Sequence, residues 1–115
     1  MTPPRALGPD APAFQIKAEF LKALAHPSRL AIIEYLKDRE APVGQMVRDL
    51  KLEQSGLSKH LAILRQAGIV SSRQDKANVF YSIKDAGIFL VLRPIAEILR
   101  KRLQESAKML GSLGR

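Results

Sequence analysis

Gly68 separates two apolar rhythms, and that change constrains the fold of this chain more than any other feature. Before it, the stretch SGLSKHLAILRQAG, Ser55 to Gly68, carries leucines at 57, 61 and 64, the i, i+4, i+7 spacing that lines one face of a helix. After it, Val79, Tyr81 and Ile83 are apolar at every second position, the period of a strand. Val70 pairs naturally with them across a turn near Asp75 to Asn78, so a two-stranded hairpin is predicted. Gly68 itself suits a left-handed helix cap.

The rest of the chain is mainly helical. Residues 1–13 contain Pro3, Pro4, Pro9 and Pro12, which oppose helix and sheet, and a flexible arm is expected there. From Phe14 the positions Phe14, Ala18, Leu21, Leu24 and Ala25, with Phe20 beside them, predict a first amphipathic helix ending before Pro27. Pro27 suits the first turn of a second helix, whose buried stripe is expected to be Leu30, Ile33 and Leu36 with Ile32 on its flank. KDRE at 37–40 and then Pro42 break the chain. Val43, Met46, Val47 and Leu50 predict a short third helix, and the Ser55 segment is the fourth. From Asp85, apolar residues including Phe89, Leu92, Ile95, Leu99, Leu103 and Leu110 recur at threes and fours, with a kink or restart expected at Pro94. Residues 111–115 are expected to fray. The fold class is therefore mainly α with a small β-hairpin, one domain spanning 14–110.

Charge and composition narrow the function. The 115 residues carry 19 Lys and Arg against 11 Asp and Glu, a formal net charge of +8, which favours polyanionic partners: nucleic acid first, an anionic membrane surface second. No apolar run approaches the roughly 20 residues of a membrane span. The opening MTPPRALGPDAPAF lacks the apolar core of a signal peptide. A cytoplasmic location is expected, with no membrane association. Cysteine is absent, which excludes disulfides, thiolate metal sites, cysteine nucleophiles and thiol redox switches.

Helix, helix, short helix, turn, helix, hairpin, helix in a basic chain is the order of a winged helix-turn-helix, in which the fourth helix enters the DNA major groove and the hairpin is the wing. A groove-reading helix touches base edges mainly through its N-terminal residues. Ser55, Gly56, Ser58, Lys59 and His60 are small or hydrogen-bonding and crowd into the first turn and a half. Between 48 and 84 seven cations (Arg48, Lys51, Lys59, Arg65, Arg73, Lys76, Lys84) face three anions (Asp49, Glu53, Asp75). That surplus of four is half the excess charge of the chain.

LAHPSRLAIIEYL (24–36), QSGLSKHLAILRQAGIV (54–70) and VFYSI (79–83) resemble the arsenic-repressor (ArsR/SmtB) family of bacterial transcriptional regulators. The resemblance runs from about Ala18 to the end, and its fourth-helix string is the most specific part. It implies a homodimer built from the first and last helices, which would place Phe14, Leu21, Leu92, Ile95, Leu99 and Leu103 in the dimer interface. It also implies repression from an inverted-repeat operator in double-stranded DNA, with release when a signal binds. By the same carry-over Gln54, Ser55, Ser58, Lys59 and His60 would face DNA, with Arg73 and Lys76 on the wing.

The departures from the family are chemical. Where many members sense metals through a cysteine motif on the third helix, this chain reads VGQMVRDL, and the His and Asp ligands often found on the last helix are missing from RPIAEILRKRLQE. No metal and no cofactor is therefore expected, and release is expected to depend on neither a transition metal nor thiol oxidation. The wing turn reads DKAN where such wings often carry glycine, and Asn78 is expected to take the left-handed position instead. The effector stays open between a small molecule, a partner protein and none.

Each singled-out residue also has a plainer reading. Ser55 and Ser58 could cap the fourth helix. His60 could pack against the third helix or touch a phosphate, and His26 reads as a helix-start residue. An enzyme lacks support: there is no cysteine, no paired acids in one motif and no phosphate-cradling glycine loop, and Ser58 and His60, two apart on a helix, point in different directions. The alternative function is a winged-helix protein-interaction module without operator specificity, which would not need base-reading residues at the start of the fourth helix.

Overall fold

Leu57, Leu61 and Leu64 are fully buried, and the elements around them follow from covering that stripe. The computed structural model describes residues 8–114, in the order α1 (Pro12–Leu24), α2 (Pro27–Tyr35), β1 (Ala41–Pro42), α3 (Val43–Leu50), α4 (Gln54–Gln66), β2 (Val70–Asp75), β3 (Asn78–Ile83) and α5 (Ile88–Leu113). Residues 8–84 form one compact unit and residues 85–114 a second. In the first unit α4 packs against α1, α2, α3 and β2, and Ile32, Ile33, Leu36, Met46 and Val70 complete the core.

Both prolines at helix starts act as φ-fixed first residues. α1 begins at Pro12 rather than at Phe14, because a proline costs nothing at a position whose N–H lacks an intrahelical partner. The part of the expected arm over 1–7 lies outside the described residues. In α2 the stripe is rotated from the expected one. Ile32, Ile33 and Leu36 are buried while Leu30 is 40% exposed, since i, i+1, i+4 from Ile32 covers the face turned to α4. Tyr35 at the end of α2 donates to Asp49 Oδ2 (2.7 Å) and accepts from Gln45 Nε2 (2.9 Å), which ties α2 to α3.

The sheet has three strands, not two. β1 joins the hairpin at its edge in the order β1-β3-β2, all antiparallel, with Ala41 opposite Tyr81 and Pro42 opposite Phe80. A two-residue strand containing proline carries no sequence period, and an edge is where a proline lacking its N–H is tolerated. The hairpin closes through Lys76 and Ala77 between the paired Asp75 and Asn78. Lys76, not Asn78, holds the positive φ of 58°. Asn78 is already a strand residue, and a twist-matched two-residue turn needs its positive φ inside the turn.

α5 runs unbroken through Pro94 and on to Leu113, so no restart occurs at Pro94, and the helix enters the stretch expected to fray. Only Ile88 of α5 is buried. No helix among the described residues is long and apolar enough to cross a membrane.

Gly68 ends α4 as its position demands. With φ at 79° it lets Gly68 N donate to Arg65 O (3.0 Å) and Ile69 N to Leu64 O (2.9 Å), the paired bonds of a Schellman cap, with Ile69 and Leu64 both buried. A Cβ here would meet nothing within 4 Å, so substitution costs only backbone energy. Gly68→Ala is expected to lower the unfolding free energy by about 1–2 kcal/mol in urea titrations, and Gly68→Asn by less. An alanine variant as stable as the parent would show that the left-handed cap is dispensable.

Candidate nucleic-acid interface

The buried leucine stripe decides which residues α4 shows to solvent. At about 100° per residue, Ser55, Ser58, Lys59 and Ala62 fall within an arc of about 100° that is turned away from Leu57, Leu61 and Leu64. All four are exposed. Gln54 is exposed too, but seven residues before Leu61 it lies on the leucine side, at the open start of the helix.

Neither serine caps the helix. The N-cap position is Glu53, with no side-chain cap bond, and no hydrogen bond of the Ser55 or Ser58 hydroxyl is found among the described residues. An N-terminus that leaves its first N–H groups without side-chain partners presents donors and the positive end of the helix dipole outward. Lys59 stands on the same face with no ion-pair partner among the described residues. This surface can donate to phosphate oxygens and to base edges.

His60 departs from the expected set. It lies on the flank of the leucine stripe, half-buried, with its ring 4.4 Å from that of His26 at 50° and Nδ1 3.3 Å from Arg29 Nη1. Since guanidinium nitrogens only donate, Nδ1 is the acceptor and the proton resides on Nε2. His26 is the N-cap of α2, its Nδ1 accepting from Ser28 N at 3.0 Å, in line with its reading as a helix-start residue. Burial first, then the charges of His26 and Arg29, hold the His60 imidazole below its ordinary pKa. His60 thus packs toward α2 and away from the face that carries the serines.

The two wing cations have different surroundings. Lys76 sits exposed at the hairpin tip without an ion-pair partner among the described residues. Arg73 is engaged: Nε and Nη2 donate to Glu40 Oε2 (2.8 Å) and Oε1 (2.6 Å), and its guanidinium lies over the Phe80 ring at 4.6 Å. Arg29 and Glu40 are the participants that sequence reading missed. Their partners lie 31 and 33 residues away, and no local pattern signals such pairs. His60's inward turn was legible, because a helical wheel already places it within about 60° of Leu57 and Leu64.

Residues 26–72 match the family described as bacterial regulatory protein, arsR family. The chain is 39% identical over 103 residues to the uncharacterized HTH-type transcriptional regulator Rv0081 of Mycobacterium tuberculosis, spanning 89% of this chain and 90% of that one. The crystal structure of Rv0081 superposes with a TM-score of 0.77 at 38% identity, covering 85% of this chain and 99% of that chain. The transcriptional repressor BigR from Xylella fastidiosa superposes at 0.65 with 31% identity, covering 73% and 86%. The homodimeric winged helix-turn-helix DNA-binding domain Mb0332 of Mycobacterium bovis shares the fold at 0.73 with 20% identity over 90% and 93%.

The depressed pKa of His60 has a definite consequence for stability. The unfolded chain takes up the proton more readily than the folded one, so this group's contribution is undiminished above the ordinary value of 6.5 and falls as pH drops through it toward the lower folded value. Thermal unfolding midpoints are expected to decline from about pH 7.5 to about pH 5, with a smaller decline for His60→Gln. An identical decline in the variant would assign the effect to other groups.

Proposed function

The chain belongs to the ArsR family of bacterial regulatory proteins, a family of transcriptional regulators and not of enzymes, and from that premise we propose that it is a homodimeric repressor that reads an inverted-repeat operator in double-stranded DNA. The observation that carries this reading is the outward face of α4: Ser55, Ser58 and Lys59 exposed together on a helix whose opposite face is fully buried. A protein-interaction module would have no need of unpartnered hydrogen-bonding groups at that turn. In this reading Gln54, Ser55, Ser58 and Lys59 touch DNA in the major groove, Lys76 touches the backbone from the wing, and His60 sets the position of α4 from behind.

A second copy is the proposed cover for the apolar surface of two helices, each considered by itself. α1 exposes Phe14 and Leu21, and α5 exposes Ile95, Leu99 and Leu103, with Leu92 half-buried. Apolar runs of this extent on a small chain mark an interface, and two-fold pairing would match the symmetry of an inverted repeat.

Ligand chemistry supports release without metal or thiol. The chain has no cysteine, and His26 and His60 each have Nδ1 occupied by a donor. Among the described residues no three His, Asp or Glu side chains converge, whereas a zinc site needs three or four ligands. On α5 the cations Arg100, Lys101 and Arg102 separate Glu97 from Glu105.

Two experiments test these statements. Genomic fragments recovered by pull-down and sequencing are expected to share an inverted repeat, and log K for such a fragment to fall with log salt at about 0.9 per neutralised phosphate, with about 6 to 10 phosphates engaged. On that fragment Ser58→Ala should cost about 1–3 kcal/mol and leave non-specific binding nearly unchanged, while Lys76→Ala weakens both alike. A flat salt response, or equal losses from Ser58→Ala on both DNAs, would count against base reading. In the second experiment zinc, nickel, cobalt, arsenite, peroxide and a persulfide donor are titrated into the complex. Each is expected to change operator affinity by less than about tenfold, or 1.4 kcal/mol, and a larger loss with any one would reveal a sensor built from oxygen and nitrogen ligands.

A further inference from the structure

The wing carries a cation that is already matched. Arg73 stands directly opposite Phe80 in the β2–β3 ladder and stacks its guanidinium over that ring at 4.6 Å. It meets Glu40 with two parallel bonds, 2.6 and 2.8 Å, the fork geometry that guanidinium shares between carboxylate and phosphate. Asp75 Oδ2 lies 3.8 Å from its Nη1. Glu40 immediately precedes β1, whose Ala41 pairs with Tyr81, so the carboxylate is carried next to a strand of the same sheet. Both side chains remain partly open to solvent, 52% for Arg73 and 35% for Glu40, so phosphate and Glu40 compete for one guanidinium.

We propose that Glu40 is a counter-charge that withholds Arg73 from the DNA backbone, holding the hairpin against β1 and limiting sequence-independent affinity, so that Lys76 is the wing cation that meets phosphate. The inference rests on the DNA-binding reading above. Its physical basis is that an exchange of partners is opposed from both sides. If Arg73 swung to a phosphate, Glu40 and Asp75 would be left unpaired next to that phosphate, and the stacking on Phe80 would be lost. The Arg73 hydrogen bonds also hold the Glu40 carboxyl below its ordinary pKa, so the counter-charge, ionised at neutral pH in any case, persists to more acidic pH than that of an unpaired glutamate. Glu40 and Arg73 are positioning residues in this scheme, and Lys76 is the contact.

The test is a two-by-two set on the full chain: parent, Arg73→Gln, Glu40→Gln and the double variant, each titrated with salt on a selected genomic fragment and on an unrelated duplex. Arg73→Gln is expected to leave the salt slope of the parent unchanged. Glu40→Gln should free the guanidinium, steepen the slope by about 0.9, the value of one added phosphate contact, and tighten binding to the unrelated duplex severalfold. Unfolding cannot produce such a gain. In the Arg73→Gln background the added slope of about 0.9 should vanish, leaving only the smaller relief of repulsion from removing an unpaired carboxylate. A slope about 0.9 shallower for Arg73→Gln alone would place Arg73 on a phosphate already and overturn the inference. An equal Glu40→Gln effect in both backgrounds would overturn it as well, by reducing it to general charge. A parent that binds neither DNA would instead overturn the proposed function, and this inference with it.

Discussion

The rotational setting of α4 about its own axis is the constraint on which the other features depend. Burying Leu57, Leu61 and Leu64 is worth about 1.5–3 kcal/mol for each side chain, far more than any polar contact on the outer face supplies. The leucines therefore choose the orientation, and Ser55, Ser58 and Lys59 are carried outward as a consequence. The same helix does without a side-chain cap at Glu53, a loss of order 1 kcal/mol relative to a serine or aspartate in that role. Its hydroxyls sit beyond the cap position, where they face outward.

Charge on this surface is decided by pairing rather than by number. Between 48 and 84 seven cations outnumber three anions, yet Arg73 is bound to Glu40, which lies outside that window. Asp49 accepts from the Tyr35 hydroxyl. Among the described residues the other six cations of that window have no ion-pair partner, and of these Lys59 stands on the outward face of α4 and Lys76 at the hairpin tip. A count of basic residues favours a polyanionic partner. The partners within the fold identify which cations are free to meet it.

The helices were legible because their apolar periods are long, and α4 was the clearest because its stripe, its C-terminal glycine and its polar start agree. β1 was not legible, since two residues have no period and Pro42 reads as a break. The hairpin was legible, but its turn was not, because any of four residues could have carried the positive φ; the register narrows the turn to Lys76 and Ala77, and the backbone has it at Lys76. On α2 both Leu30 and Ile32 are apolar, and only the position of α4 decides between them. The exposed serines could be named from the sequence. The engagement of Arg73 could not, because it depends on β1 bringing Glu40 alongside the hairpin.

Arg29 shows how one side chain joins elements that the backbone leaves separate. The final turn of a helix has carbonyls without i+4 donors inside the helix; in α1 Ala23 O accepts from Arg29 Nε (2.7 Å), and Lys22 O, which also takes the Ala25 N–H (3.2 Å), accepts from Nη2 (3.1 Å). The third nitrogen, Nη1, reaches His60 Nδ1 on α4 at 3.3 Å. One planar cation thus fastens the end of α1 to the start of α2 and to the inner flank of α4. A lysine could not do this, because its ammonium is a single point at the end of a flexible stem and not a fork with fixed directions. The acceptor on His60 exists only while the imidazole is neutral, a form favoured first by burial and then by the charges of His26 and of Arg29 itself. The clasp therefore favours the protonation state it requires, and one rigid group joins the end of α1, through two hydrogen bonds, to α4, through one.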